Sequence, residues 1–290
     1  MQSLRGIHAV KFSVCLDAMY FDMKHFGASP RNCLEGMQRV KNAGFDAVEF
    51  FGPNKDVGAI AELSRELSLE IAAITVTDDP WSFSPGPDFR VPFISLCDAE
   101  NQGRFLAALR RTMDDARQLN CRIIITHAGN VIKGVSRDRQ RDNIVASLKQ
   151  AGRLLESTGL TLVVEPINAV DHPGDFIESS EGAFSILQDV DSENVKLLYD
   201  IYHMQVMEGN LIPTITKNIT NIAHLQGANN PGRGDVRIGE INYPAVLNAA
   251  AHAGYDGFFG VEYGPGGALQ DKLQETADFL ARAVTRTRVS

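Results

Sequence analysis

A chain of 290 residues, 44% hydrophobic and 22% charged, has ordinary globular composition and enough length for one large core. Its formal net charge of −8 argues against a nucleic-acid partner, which needs a basic surface, but permits a small anionic substrate held by one local cation. Cys15, Cys33, Cys97 and Cys121 form no CxxC pair, the opening run MQSLRGIHAVKFSVCLDAMYF has no clean leader-like apolar segment, and no stretch approaches the ~18 apolar residues of a membrane span, so reduced thiols, a cytoplasmic setting and no membrane are expected.

Along the chain, short β-branched runs alternate with helix-period segments. Candidate strands are 8–15, 46–51, 70–77, 121–127, 160–166, 195–200, 221–227 and 257–263. Between and after them, helices are predicted over 31–43, 55–68, 101–119, 136–158, 180–189, 211–219, 242–253 and 269–285. The first of these starts at Ser29-Pro30 and is closed by Gly44; the fourth is closed by Gly159. Eight such units predict an α/β fold, a (β/α)8 TIM barrel formed as a single domain over residues 1–290. A doubly wound open sheet is the alternative, but no GxGxxG follows the first strand. The irregular stretch 78–100, with prolines at 80, 85, 87 and 92, follows the third strand and reads as a lid or as a surface excursion packed through Trp81.

Barrel enzymes place their reactive groups at the C-terminal ends of the strands. Here the fourth strand ends in His127, the fifth in Glu165, the sixth in Asp200, the seventh in Gln226 and the eighth in Glu262. Side chains alternate along a strand, so Val163 shares a face with Glu165, Leu198 with Asp200 and His224 with Gln226. If those faces point inward, the carboxylates of Glu165, Asp200 and Glu262 meet the amide oxygen of Gln226 at one height. Buried carboxylates need a cation, and an all-oxygen set suits one Mg²⁺ or Mn²⁺ ion with positions free for substrate oxygens. Any one of these residues alone also reads as a capped or salt-bridged strand end; four matched ends favour the metal. Glu49 either reaches the pocket from the second strand or caps it. His127 either touches substrate or packs against a backbone carbonyl, and His224, one layer deeper, is expected in a hydrogen-bonded core role.

The segments Val163-Val164-Glu165-Pro166-Ile167-Asn168 with Asp171-His172-Pro173-Gly174, Tyr199-Asp200-Ile201-Tyr202-His203 through Gly209-Asn210, His224-Leu225-Gln226 through Pro231-Gly232-Arg233, Gly239-Glu240-Ile241-Asn242-Tyr243, and Gly254-Tyr255-Asp256-Gly257 with Val261-Glu262-Tyr263 resemble the hydroxypyruvate isomerase family. The ordered match runs from about 160 to 265, with a weaker extension at 45–50. The wider superfamily is that of xylose-isomerase-like barrels, including 2-oxo-tetronate isomerases and D-tagatose 3-epimerase-type ketose epimerases. The resemblance implies metal ligation by Glu165, Asp200, Gln226 and Glu262, acid/base roles for Glu165 and Glu262, and substrate contacts from His203, Arg233 and Asp171. Gln226 stands where the ketose epimerases carry a histidine. The loop around Trp81 departs from the branch's Gly-Asp-Trp pattern, and Asn229-Asn230 precede Pro231 where an acidic residue is common, which leaves the substrate open.

The expected reaction is an aldose–ketose type shift on a small hydroxy-carbonyl compound, hydroxypyruvate/tartronate semialdehyde or a related 2-oxo-tetronate. Arg233 is expected to clamp a substrate carboxylate; its alternative is a loop salt bridge to Asp235 or Glu240. The rivals are a ketose 3-epimerase, more distantly a metal-dependent dehydratase, a DNA-repair endonuclease with a zinc cluster, and a catalytically dead carbohydrate-binding barrel. The endonuclease needs a histidine-rich site and a basic face, and the dead barrel would tolerate a lost ligand. The expected partner is the small-molecule substrate; self-association is left open.

Overall fold

A computed structural model describes residues 10–19, 31–51, 56–77, 94–264 and 269–284. Ser29-Pro30, Trp81 and the prolines of the 78–93 stretch lie outside the described residues.

The strands are β1 (Lys11–Cys15), β2 (Ala47–Phe50), β3 (Glu70–Thr75), β4 (Ile123–His127), β5 (Thr161–Glu165), β6 (Val195–Asp200), β7 (Ile222–Gly227) and β8 (Phe258–Val261). Each pairs in parallel with the next, and β1 pairs with β8 to close the barrel. Runs such as Ile123–Ile124–Ile125 and Leu162–Val163–Val164 form strands because β-branched and aliphatic side chains fit a pleat covered on both faces. Outside pack α1 (Leu16–Met19), α2 (Arg31–Asn42), α3 (Val57–Leu67), α4 (Gln102–Gln118), α5 (Arg137–Leu155), α6 (Ser180–Val190), α7 (Ile201–Met207), α8 (Leu211–Lys217), α9 (Tyr243–His252) and α10 (Leu269–Ala283). None of these helices is long and apolar enough to cross a membrane.

Several helices start on a side-chain cap at the C-terminal rim of the barrel. Asp56 accepts from the Ala59 N–H, Ser136 from Arg139, Ser179 from Gly182 and Asn242 from Ala245. Each cap contributes about 1 kcal/mol and sets where the chain leaves the rim. At the opposite end, Gly44 (φ 93°) and Gly159 (φ 75°) take the left-handed backbone needed to turn back into β2 and β5. The main apolar core lies between strands and helices, whereas Ala73, Ile125, Val163 and Leu198 form a separate cluster from β3, β4, β5 and β6.

The expected elements match to within a few residues at their ends. Two short helices, α1 and α7, were not anticipated. The second follows from Asp200, whose Oδ1 accepts the N–H groups of Tyr202 (2.7 Å) and His203 (3.2 Å) and so caps α7 directly at the end of β6. From residue 94 the chain docks just beyond the end of β4, through the Leu96 N–H to the Ala128 carbonyl (2.8 Å), and is held by Asn143 Nδ2 donating to the Cys97 carbonyl (2.8 Å).

Candidate active site

Four adjacent strands deliver the polar groups. Glu165 ends β5, Asp200 ends β6, Gln226 is the penultimate residue of β7, and Glu262 follows β8 with its N–H donating to the Gly227 carbonyl at 3.0 Å. All four are buried, at 5%, 1%, 1% and 6% exposure, which rules out their serving as solvated strand caps. In register, Asp200 is opposite Gln226 and His127 is opposite Glu165. Because Val163 and Leu198 belong to the inner cluster, alternation carries Glu165 and Asp200 to the same inward face one step higher.

Three buried carboxyl groups crowd together in this cluster, with Arg233 3.1 Å from Glu262. Burial pushes the Glu165 carboxyl up to about 8, with the neighbouring Asp200 charge adding to it. Glu262 is raised well above the ordinary carboxylate range, again by burial first, with Arg233 opposing and Glu165 reinforcing. Asp200 is raised by burial against the pull of Arg233. Asp200 Oδ2 and Gln226 Oε1 are buried and find no hydrogen-bond partner among the described residues. Buried acceptors without donors are costly, and oxygen donors crowded among buried carboxylates fit a hard divalent ion.

His203 stands in the same cluster: an atom each from Glu165, Asp200 and His203 lies within 4.8 Å of the others. Its hydrogen bonding excludes a ligand role. Nδ1 accepts the backbone N–H of Asn168 at 3.2 Å and faces Asn168 Nδ2 at 2.6 Å, so its lone pair is engaged there. Burial, with the Arg233 charge nearby, holds the ring neutral, and the ring proton therefore sits on Nε2. That buried N–H, 3.7 Å from Glu165 Oε1 and 3.9 Å from Asp200 Oδ2, can donate a hydrogen bond to an oxygen but cannot bind a cation.

His127 meets Glu165 directly, Nε2 to Oε2 at 2.8 Å. Asp171 accepts from the Tyr202 hydroxyl (2.6 Å) and Asn168 Nδ2 (2.9 Å), and although its partial burial works the other way, these bonds hold its carboxyl below the usual range. Arg233 lies in the loop after β7, with a left-handed backbone (φ 47°) beside Gly232. Its guanidinium is 3.1 Å from Glu262 Oε1 and 5.5 Å from the Tyr202 ring centroid. The alternative loop salt bridge does not form, because Asp235 is taken by Arg237 and Glu240 by Asn230 and Gln205. Asn229 and Asn230 brace this loop: the Asn229 side chain accepts the Gly234 N–H, and Asn230 Nδ2 donates to Glu240 at 2.6 Å.

Beneath the carboxylates lies a second polar layer. Glu49 on β2 accepts from His224 Nε2 at 3.0 Å, from Gln226 Nε2 at 2.6 Å and from the Ser13 hydroxyl. Burial alone would raise its carboxyl, but His224 and these hydrogen bonds hold it below the ordinary value, so it is ionised. His224 thus has the core role expected of it. Glu49 reaches the interior rather than capping its strand. The parts played by Ser13, Asn168 and Tyr202 were missed from sequence.

A sequence family described as xylose isomerase-like TIM barrel matches residues 37–283. The chain is 31% identical over 233 residues to the hydroxypyruvate isomerase of Escherichia coli (strain K12), covering 80% of this chain and 88% of that protein. It is 29% identical over 240 residues to the 2-oxo-tetronate isomerase of Cupriavidus necator, covering 82% and 90% respectively. Among solved structures, one described as an AP endonuclease, family 2, from Brucella melitensis superposes with a TM-score of 0.81 at 26% identity over 93% of this chain and 99% of that one.

Proposed function

The chain belongs to the hydroxypyruvate isomerase family of xylose isomerase-like TIM barrels, and from that premise we propose that it is a metal-dependent isomerase of small hydroxy-carbonyl acids. The substrate class is hydroxypyruvate/tartronate semialdehyde or a related 2-oxo-tetronate. The observation that carries this reading is the pair of buried glutamates, Glu165 and Glu262, beside the two partnerless oxygens Asp200 Oδ2 and Gln226 Oε1.

Glu165, Asp200, Gln226 and Glu262 would hold one Mg²⁺ or Mn²⁺ ion. Bound there, a divalent cation stabilises the negative charge that develops on a carbonyl and its neighbouring hydroxyl as carbon loses a proton. One glutamate, ionised, takes the proton from the hydroxyl-bearing carbon; the other, entering the step protonated, delivers its proton to the adjacent carbon, and exchange with solvent resets the two glutamates before the next turnover. The hydroxyl proton passes to the former carbonyl oxygen, which becomes the new hydroxyl. His127 holds Glu165 at a fixed angle by donating to Oε2. His203 supplies a neutral N–H donor for a substrate oxygen. Arg233, fixed against Glu262 and the Tyr202 ring, offers the remaining face of its guanidinium to a substrate carboxylate. Asp171 contributes through Tyr202, whose ring it holds beneath that guanidinium.

A zinc-cluster endonuclease gains no support from the site, because the ends of β5 to β8 bring Glu165, Asp200, Gln226 and Glu262, an oxygen-only set, where a zinc cluster needs histidines. The decisive experiment is exchange of an α-proton with D₂O, in the presence of Mn²⁺, over hydroxypyruvate, 2-oxo-tetronates, ribulose, tagatose and fructose. Exchange confined to the acids is expected. Exchange confined to the neutral ketoses would replace this reading with a ketose 3-epimerase.

A further inference from the structure

The geometry assigns Glu49 the role of positioning residue for Gln226: its carboxylate fixes the Gln226 amide so that the oxygen, not the nitrogen, is presented to the cation. This rests on the metal reading above. A glutamine side chain has two ends of nearly equal size, and only one can bind a cation. Nothing in Gln226 itself selects between them. The selection comes from Glu49 Oε2, an acceptor that takes the amide Nε2 at 2.6 Å and leaves Oε1 turned away, buried and without a partner among the described residues.

Glu49 can impose that choice because it is itself immobilised. Its Oε1 receives the Ser13 hydroxyl from β1 and His224 Nε2 from β7, so the carboxylate cannot rotate without losing donors in a buried site. Both oxygens being occupied, Glu49 is not a ligand. The space it fills exists because β8 carries Gly260: a Cβ at that position would land on Glu49 Oε1. Four strands, β1, β2, β7 and β8, thus converge on one carboxylate whose free consequence is the orientation of a single amide.

The competing account is that Glu49 is a structural anion paired with His224. The two accounts separate in a Mn²⁺ titration, by calorimetry and by the electron paramagnetic resonance of the bound ion, on metal-stripped full-length chains. Glu49→Gln is isosteric, but its own amide can donate to Gln226 and turn it, so Mn²⁺ affinity should fall about 10- to 100-fold while the metal-free protein keeps its fold by circular dichroism. The second variant pair stands independently of that one. Gln226→Glu alone sets two carboxylates against each other, and Glu49→Gln/Gln226→Glu relieves the clash and supplies a ligand that needs no orienting. The double variant should therefore bind Mn²⁺ more tightly than Gln226→Glu and recover most of the loss. Affinity unchanged in Glu49→Gln, or a double variant no better than Gln226→Glu, overturns the positioning role. A wild-type protein that takes up no Mn²⁺ overturns the metal reading itself, and that failure is visible in the wild-type titration alone.

Discussion

His127 Nε2 lies 2.8 Å from Glu165 Oε2, both side chains almost fully buried. Burial pushes the histidine down to about 4, so at neutral pH it is an uncharged ring rather than half of an ion pair. With Glu165 ionised, Nε2 donates to Oε2 and fixes which way the carboxylate faces without neutralising its charge. His127→Phe should lower kcat/KM by roughly one to two decades, the loss of a hydrogen bond to a charged group. His127→Asn, if its amide reaches Oε2, should recover part of it. Steady-state kinetics on the two variants decide this, and equal rates for wild type and His127→Phe would remove the role.

Glu165→Gln and Glu262→Gln should each reduce turnover below detection while leaving the fold intact. Each deletes one of two proton-transfer groups that cannot substitute for each other. Turnover in either variant close to that of the wild type would sink the two-glutamate mechanism.

Chelation should abolish activity and Mg²⁺ or Mn²⁺ restore it. The metal-free protein should also show a characteristic pH dependence. The folded-state pKa of Glu165 is raised from 4.5 to about 8, so the folded chain holds a proton that the unfolded chain has lost across that window. The contribution of Glu165 to the stability of the metal-free protein is therefore full at the acid end, declines as pH rises from 4.5 and is lost above about 8; the buried neutral histidines His127 and His203 act in the opposite direction, so it is read as the difference in Tm between wild type and Glu165→Gln. Protons compete with the cation for the carboxylates, so the thermal shift on adding Mn²⁺ should be larger at pH 8 than at pH 5. A Tm difference between metal-free wild type and Glu165→Gln that does not change with pH would contradict the proposed charge crowding.

Arg233→Lys should weaken turnover of acid substrates much more than that of any neutral sugar. Loss of the planar two-pronged contact is worth ~1.5–3 kcal/mol. Competition kinetics between an acid and a ketose measure the difference. Equal losses for both would make Arg233 an anchor for Glu262 or for its own loop.

Gly227→Ala should destabilise the barrel by roughly 1–3 kcal/mol, the usual cost of overpacking. A Cβ there would land on the Tyr243 hydroxyl, which donates to the Ala228 carbonyl at 2.6 Å. Urea unfolding monitors it, and an unchanged midpoint at unchanged slope would show that Tyr243 can move aside.

The barrel was legible because its strands end in polar residues after apolar runs: LTLVV before Glu165 and FFGV before Glu262 mark both an element and a site. Asp200 carried a second meaning that alternation does not disclose, since one of its oxygens caps α7 while the other faces inward. Glu49 was harder. In DAVEFF it looks like one polar residue in an apolar strand, and its partners His224 and Gln226 lie 175 and 177 residues away. Only closure of the sheet brings them together, and no local pattern encodes closure. The tautomer of His203 was likewise beyond sequence, because it depends on the backbone N–H of Asn168.

The missing side chain at Gly260 has a bearing on protein design. Anyone transplanting this constellation into another eight-stranded scaffold would copy Glu165, Asp200, Gln226 and Glu262 first. A host with alanine two positions before the last glutamate would accept all four and still fail, because its methyl group would occupy the volume of the Glu49 carboxylate. The graft would then hold an amide free to turn either way. The smallest portable unit therefore includes a glycine, a serine on the first strand and a glutamate on the second, none of which would touch the ion.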